Sequence, residues 1–194
     1  MKYSFILYFL LFIAINAVPG GWEKGSFREN DLKIDRAYKK AFELYSKENP
    51  NSDIDSIRRL TLYKQLVNGI NYRMCFIDLK SDLNVIQEYI ISGPPFGKSK
   101  SEQKFELFEK NTYKPKKGLL LVNDSKYPRI QNTLYGWVKN LRENLLYITK
   151  IEIVEAYLDN FYIVTARTEE KEHIYVVSQS KQDTDEYEAL VMLK

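Results

Sequence analysis

Residues 57–79 read IRRLTLYKQLVNGINYRMCFIDL. Two β-favouring stretches, Ile57 to Leu66 and Ile70 to Leu79, flank Val67-Asn68-Gly69. An Asn-Gly pair between two such runs is a turn signal, so the segment is expected to fold as an antiparallel hairpin.

Upstream, Ile34, Ala37, Tyr38, Ala41, Phe42 and Tyr45 recur at the offsets of one helical face. Pro50 and the polar cluster from Asn49 to Asp53 end that helix. Downstream, Val85 to Ile91 and Lys104 to Phe108 read as strands around the breakers Gly93-Pro94-Pro95-Phe96-Gly97. Past Pro115 the same order returns. Ile130, Leu134, Trp137, Val138, Leu141 and Leu145 keep helical spacing, with Pro128 near the start, where a missing N–H is harmless. Lys150 to Leu158, Phe161 to Arg167, Ile174 to Ser178 and Tyr187 to Leu193 then read as strands. Helix followed by four strands, twice, implies a duplication of roughly 90 and 75 residues. The expected class is α+β: two tandem units, residues 18–114 and 115–194, each one helix packed on an antiparallel four- to five-stranded sheet.

The N-terminus carries a different message. Lys2 precedes an apolar run from Tyr3 to Ile15, and small Ala17 comes just before Val18-Pro19-Gly20-Gly21. About 13 apolar residues fall short of the roughly 20 a membrane span needs. Residues 1–17 are therefore expected to be a signal peptide, the mature chain secreted and extracellular, with no membrane attachment after cleavage.

Composition narrows the function. The 194 residues hold 29 Lys and Arg against 26 Asp and Glu, a net charge of +3, which argues against a nucleic-acid partner. Short Lys98/Lys100 and Lys116-Lys117 clusters read as solvated loops. Cys75 is the single cysteine, so no intramolecular disulfide can form. In Met74-Cys75-Phe76-Ile77 it reads as a small buried hydrophobe. One Cys and one His, His173, do not suffice for a zinc site, and no nucleophile, base and charge-stabilising set converges in the sequence. No metal, no cofactor and no catalytic role are expected.

Three short elements bear a resemblance. Gly20-Gly21-Trp22 is similar to the N-terminal glycine trunk of the cystatins. Gln65-Leu66-Val67-Asn68-Gly69, followed by Asn71-Tyr72, resembles their Q-x-V-x-G first hairpin and its trailing N-Y. Pro95-Phe96 falls where that family has Pro-Trp in the second hairpin. The resemblance covers about Gly20 to Lys110. It implies reversible competitive inhibition of papain-like, cathepsin-type cysteine proteases by a wedge of trunk and two hairpin tips. The residues carried over are Gly20, Gly21, Gln65, Leu66, Val67, Asn68, Gly69, Pro95 and Phe96. The physics suits that role: glycines allow close approach, Leu66 and Val67 offer apolar area, and Phe96 on a Pro-stiffened loop is a rigid anchor. The other reading is a secreted binding module of the same family that does not inhibit cysteine proteases and meets a different protease or a receptor.

Residues 115–194 match that layout without the motifs. Gly118-Leu119-Leu120 stands at the trunk position, Glu155 to Asn160 at the first hairpin and Ser178 to Asp183 at the second. Asp159, Asp183 and Asp185 would put carboxylates where the family has apolar tips, and desolvating them would oppose binding. Asn51-Ser52-Asp53 stands in a loop similar to the legumain-binding asparagine of some cystatins, and ordinary turn chemistry explains the same residues. Asn123-Asp124-Ser125 is an N-glycosylation sequon.

Overall fold

The computed structural model describes residues 21–28, 31–97, 104–116, 120–141 and 143–193. The expected signal peptide, Gly20, Lys98, Lys100, Lys117 and Gly118 lie outside the described residues.

Nine strands form two antiparallel sheets. β1 (Trp22–Gly25), β2 (Ile57–Val67), β3 (Gly69–Asp78), β4 (Ile86–Ser92) and β5 (Glu106–Tyr113) lie side by side in that order. β6 (Leu145–Glu155), β7 (Asp159–Thr168), β8 (Glu172–Ser180) and β9 (Tyr187–Met192) make the second sheet, again in chain order. Two α-helices are present among the described residues, α1 (Leu32–Glu48) and α2 (Tyr127–Asn140).

The expected α+β class is corrected by these elements: the described chain is mostly β. The strands run long, 11 residues in β2 and in β6 and 10 in β3 and β7. The order of elements is as expected, and their extent is greater on the strand side. Pairing to neighbours carries a strand beyond the residues whose side chains alternate. Thus β5 continues through Lys110-Asn111-Thr112 and β6 begins at Leu145, inside the stretch read as helix. Leu141 caps α2 and is exposed, so the apolar spacing beyond Val138 belongs to the turn and the next strand.

By contact density the chain divides into two compact units. The first takes the residues up to Glu48, Thr61–Met74 and Tyr89–Lys110. The second takes Asn49–Leu60, Cys75–Glu88 and the residues from Asn111 onward. In the first, α1 buries the stripe Ile34, Ala37, Tyr38, Ala41 and Tyr45. Its first turn is held by the Asp31 carboxylate, which accepts from the Lys33 N–H at 2.8 Å.

Two apolar clusters build the second unit. In one, Ile130, Leu134 and Val138 of α2 pack with Tyr162, Val164, Tyr175 and Val177 of β7 and β8. In the other, Leu60, Cys75, Ile77 and Ile86 of β2, β3 and β4 share a core with Val154, Phe161, Ile163 and Val176 of β6, β7 and β8. Cys75 is thus a core residue, 2% exposed. Asp78, fully buried at the end of β3, ties the adjoining loop together: it accepts from Ser56 Oγ at 2.7 Å, from the Lys80 N–H at 2.9 Å, and from Ser52 Oγ.

Candidate functional site

The first hairpin closes where the sequence places it, with β2 ending at Val67 and β3 starting at Gly69. Gly69 has φ +129°, a conformation that side chains disfavour. A Cβ there would stand 2.8 Å from the Pro94 carbonyl oxygen and 3.1 Å from that of Gly93. Glycine is therefore required twice over, by torsion and by the approach of the neighbouring loop. Gly69, carried over as part of the hairpin tip, is itself buried; the exposed residues there are Leu66 and Val67, 51% and 41% exposed, and Asn68.

The loop that meets Gly69 joins β4 to β5. The Gly93 N–H donates to the Ile70 carbonyl at 2.8 Å, and a Cβ on Gly93 would come within 2.9 Å of the same oxygen. Two glycines, facing each other across β3 and β4, let the two turns lie backbone to backbone. From this junction Pro95 and Phe96 extend into solvent, Phe96 with 57% of its surface exposed.

The third element is an edge strand that the sequence did not announce, because Trp22-Glu23-Lys24-Gly25 has no alternation to read. β1 pairs with β2, Trp22 opposite Gln65 and Gly25 opposite Leu62. That register sets Gly21, exposed and with open space around its Cβ position, one residue beyond Gln65 toward the hairpin tip. The Arg73 guanidinium lies 4.7 Å above the Trp22 ring, a cation–π contact that holds the strand down.

Beneath the tips is a row of polar side chains. Asn71 Nδ2 donates to Gln65 Oε1 at 3.2 Å, and Ser92 Oγ donates to Asn71 Oδ1 at 2.8 Å, linking β2, β3 and β4. Tyr72 points its ring into the interior, against Phe105 at 6.3 Å between centroids. Burial, with a contribution from Asp31, pushes its hydroxyl up to about 12. The tips themselves, Leu66 to Gly69 and Pro94 to Gly97, contain no ionisable group. What they offer is uncharged apolar area on backbones that are already fixed.

No model of a known protein family matches this chain, and no curated protein matches it.

The structure therefore gathers Gly21, Gln65, Leu66, Val67, Asn68, Gly69, Pro95 and Phe96 within the first compact unit. Asn51 belongs to the second unit, exposed in the turn after α1. Asn123 is exposed in the turn before α2.

The turns of the second sheet differ from expectation. Asp159 is 2% exposed, opposite Ser180 in the β7–β8 ladder, and does not project from the hairpin. Tyr157, 62% exposed, holds the tip instead. Lys181 fastens this turn, its N–H donating to the Leu158 carbonyl at 2.8 Å and its Nζ to the Ala156 carbonyl at 2.5 Å. Asp183 and Asp185 are exposed, and Asp185 pairs with Arg129 of α2.

Cys75 and His173 are each enclosed. The Cys75 thiol lies 3.8 Å from the Glu88 carboxylate, whose other oxygen accepts from Asn111 Nδ2 and Tyr113 Oη at 3.0 Å each. His173 is 1% exposed on β8, beside Tyr175 and with Nε2 3.4 Å from a Glu143 carboxylate oxygen. Burial, with Glu143 contributing, pushes the Tyr175 hydroxyl up to about 12.

Proposed function

We propose that this chain is a secreted, reversible, competitive protein inhibitor of papain-like cysteine proteases, acting through the joined tips of its first unit. One observation carries the reading. Gly69 and Gly93 bring two turns into backbone contact, and Leu66, Val67 and Phe96 stand out from that junction exposed and uncharged. Exposed apolar side chains on fixed backbones are a poor arrangement for a free surface and a good one for a partner's cleft. Little conformational freedom is lost on docking, so a modest contact area can bind tightly. The β1 strand runs along β2 toward the same tips, which brings Trp22 and the adjoining Gly21 alongside them.

A narrow cleft suits such a surface, because the tips approach by backbone and apolar atoms and carry no charge to desolvate. The chain would block the cleft as a plug. Inhibition would then be competitive and reversible on dilution, with no cleavage of the inhibitor. The test is titration of papain and of a cathepsin with the mature chain. Competitive inhibition with a nanomolar constant, recovered on dilution, is the expected result. Full protease activity at micromolar chain would refute the proposal.

A further inference from the structure

Beside the joined tips lies a hollow of about 590 Å³, and it contains both kinds of surface a protein segment can use. Val67, Pro95 and Phe108 supply apolar walls, while Gln65, Asn71 and Ser92 contribute the polar row already described. Phe108 comes from β5, an edge strand, and is 68% exposed, more so than Phe96 on the loop tip. Nothing in the motif-like turns accounts for it.

Resting on the function proposed above, we infer that this hollow is a socket for a protruding backbone segment on the rim of the target protease's cleft, and that Phe108 determines which proteases are bound tightly. The commitment to the protease as occupant follows from shared residues. Val67 and Pro95 belong both to the protruding tips and to the walls of the hollow, so a partner seated on the tips must also cover the hollow. Left unfilled, a covered space of this size would trap many waters, at roughly 30 Å³ each, against an aromatic ring. Filled by a backbone segment, it offers that segment hydrogen bonds. Asn71 has two N–H donors and uses one on Gln65, leaving one for an incoming carbonyl. The ring of Phe108 packs against an apolar side chain of the same segment. The chain then acts at once as a plug, by its tips, and as a receptor, by the hollow beside them. Proteases with a flat rim would meet only the plug.

The experiment compares the unaltered chain with Phe108→Ala, Leu107→Ala and Val67→Asp against papain and two cathepsins, with melting temperature and sedimentation measured for each. Leu107 is the control: it is 40% exposed on the same strand and does not line the hollow. The expected result is that Phe108→Ala raises the inhibition constant about tenfold or more for at least one protease, as loss of an anchoring aromatic contact does. Leu107→Ala should stay within about twofold of the parent, a change too small for an anchoring contact, and the fold should be unchanged. If the parent and Leu107→Ala inhibit while Phe108→Ala matches them against every protease, the socket is refuted and the inhibitory function stands. Equal weakening by Phe108→Ala and Leu107→Ala refutes it too, since any apolar surface would then serve. If Phe108→Ala changes self-association and leaves inhibition untouched, the hollow belongs to a second copy of the chain and the inference fails. No inhibition by the parent overturns both the function and the socket.

Discussion

Replacement of Gly69 by alanine tests the junction on which the functional reading depends. Two terms add at that position. A side chain at φ +129° carries a torsional penalty, about 1–2 kcal/mol for a residue forced out of its favoured regions. The new Cβ also meets the Pro94 and Gly93 carbonyl oxygens at 2.8 and 3.1 Å, backbone atoms that cannot rotate away. Relief requires the β4–β5 loop to withdraw, stretching the Gly93 N–H bond to Ile70, whose loss is worth about 1 kcal/mol net. Together these reach about 3 kcal/mol. In a protein of this size each kcal/mol moves the melting temperature by about 2–4 °C, so Gly69→Ala should lower it by about 6–12 °C. Gly97→Ala isolates the torsional part: Gly97 has φ +80° with open space around its Cβ position, and about 1 kcal/mol, or about 2–4 °C, is expected. Differential scanning calorimetry of the two variants reads the difference, and inhibition assays on the folded proteins should show Gly69→Ala the weaker inhibitor. If Gly69→Ala melts no lower than Gly97→Ala, the two turns are not held in backbone contact and the preformed surface is not there.

Three further outcomes are expected. Val67→Asp should leave the melting temperature unchanged, because Val67 is 41% exposed, while inhibition weakens by at least about 2 kcal/mol, roughly thirtyfold; equal inhibition by variant and parent would remove this loop from the contact. With Cys75 as the only thiol and 2% exposed, reductant should not shift the melting temperature, and a thiol reagent should react only as the chain unfolds; fast labelling of the native chain would contradict its place in the core. Burial raises Tyr72, Tyr89 and Tyr175 from 10.0 to about 12, so the folded state favours their neutral form. The associated stability is whole below about pH 10 and is lost as pH rises through about 12. Tyrosinate absorbance should therefore show these rings ionising late, together with loss of circular dichroism; complete ionisation near pH 10 with the fold retained would refute their burial.

Much of this was legible in the residues. The first hairpin is fixed by Asn68-Gly69 between two apolar runs, and the α1 stripe is buried at Ile34, Ala37, Tyr38, Ala41 and Tyr45, since both are local patterns. Three features were not read. β1 exists because Trp22 finds Gln65 as a partner and Arg73 as a cover, contacts remote in sequence. Phe108 looked like an ordinary strand residue, because an edge strand's environment is set by what fails to cover it. The burial of Asp159 followed from extension of the β7–β8 ladder past the residues whose side chains alternate. Met74-Cys75-Phe76-Ile77 is apolar at every position, and a strand without a polar face has both faces covered. A single helix on one side cannot supply that.

The core shared by Leu60, Cys75, Ile77 and Ile86 with Val154, Phe161, Ile163 and Val176 has a bearing on how openings spread through the molecule. Amide hydrogens protected by the same packing exchange together, whatever strand they sit on. The N–H groups of Leu60 and Ile77 should therefore follow the slow exchange of Val154 and Ile163. Leu66 and Ile70, in the same two strands, should exchange with the turns near them. A strand such as β3 would then belong to two cooperative groups along its length. Exchange at its tip end would then report the turn junction alone, and exchange at its far end the shared core.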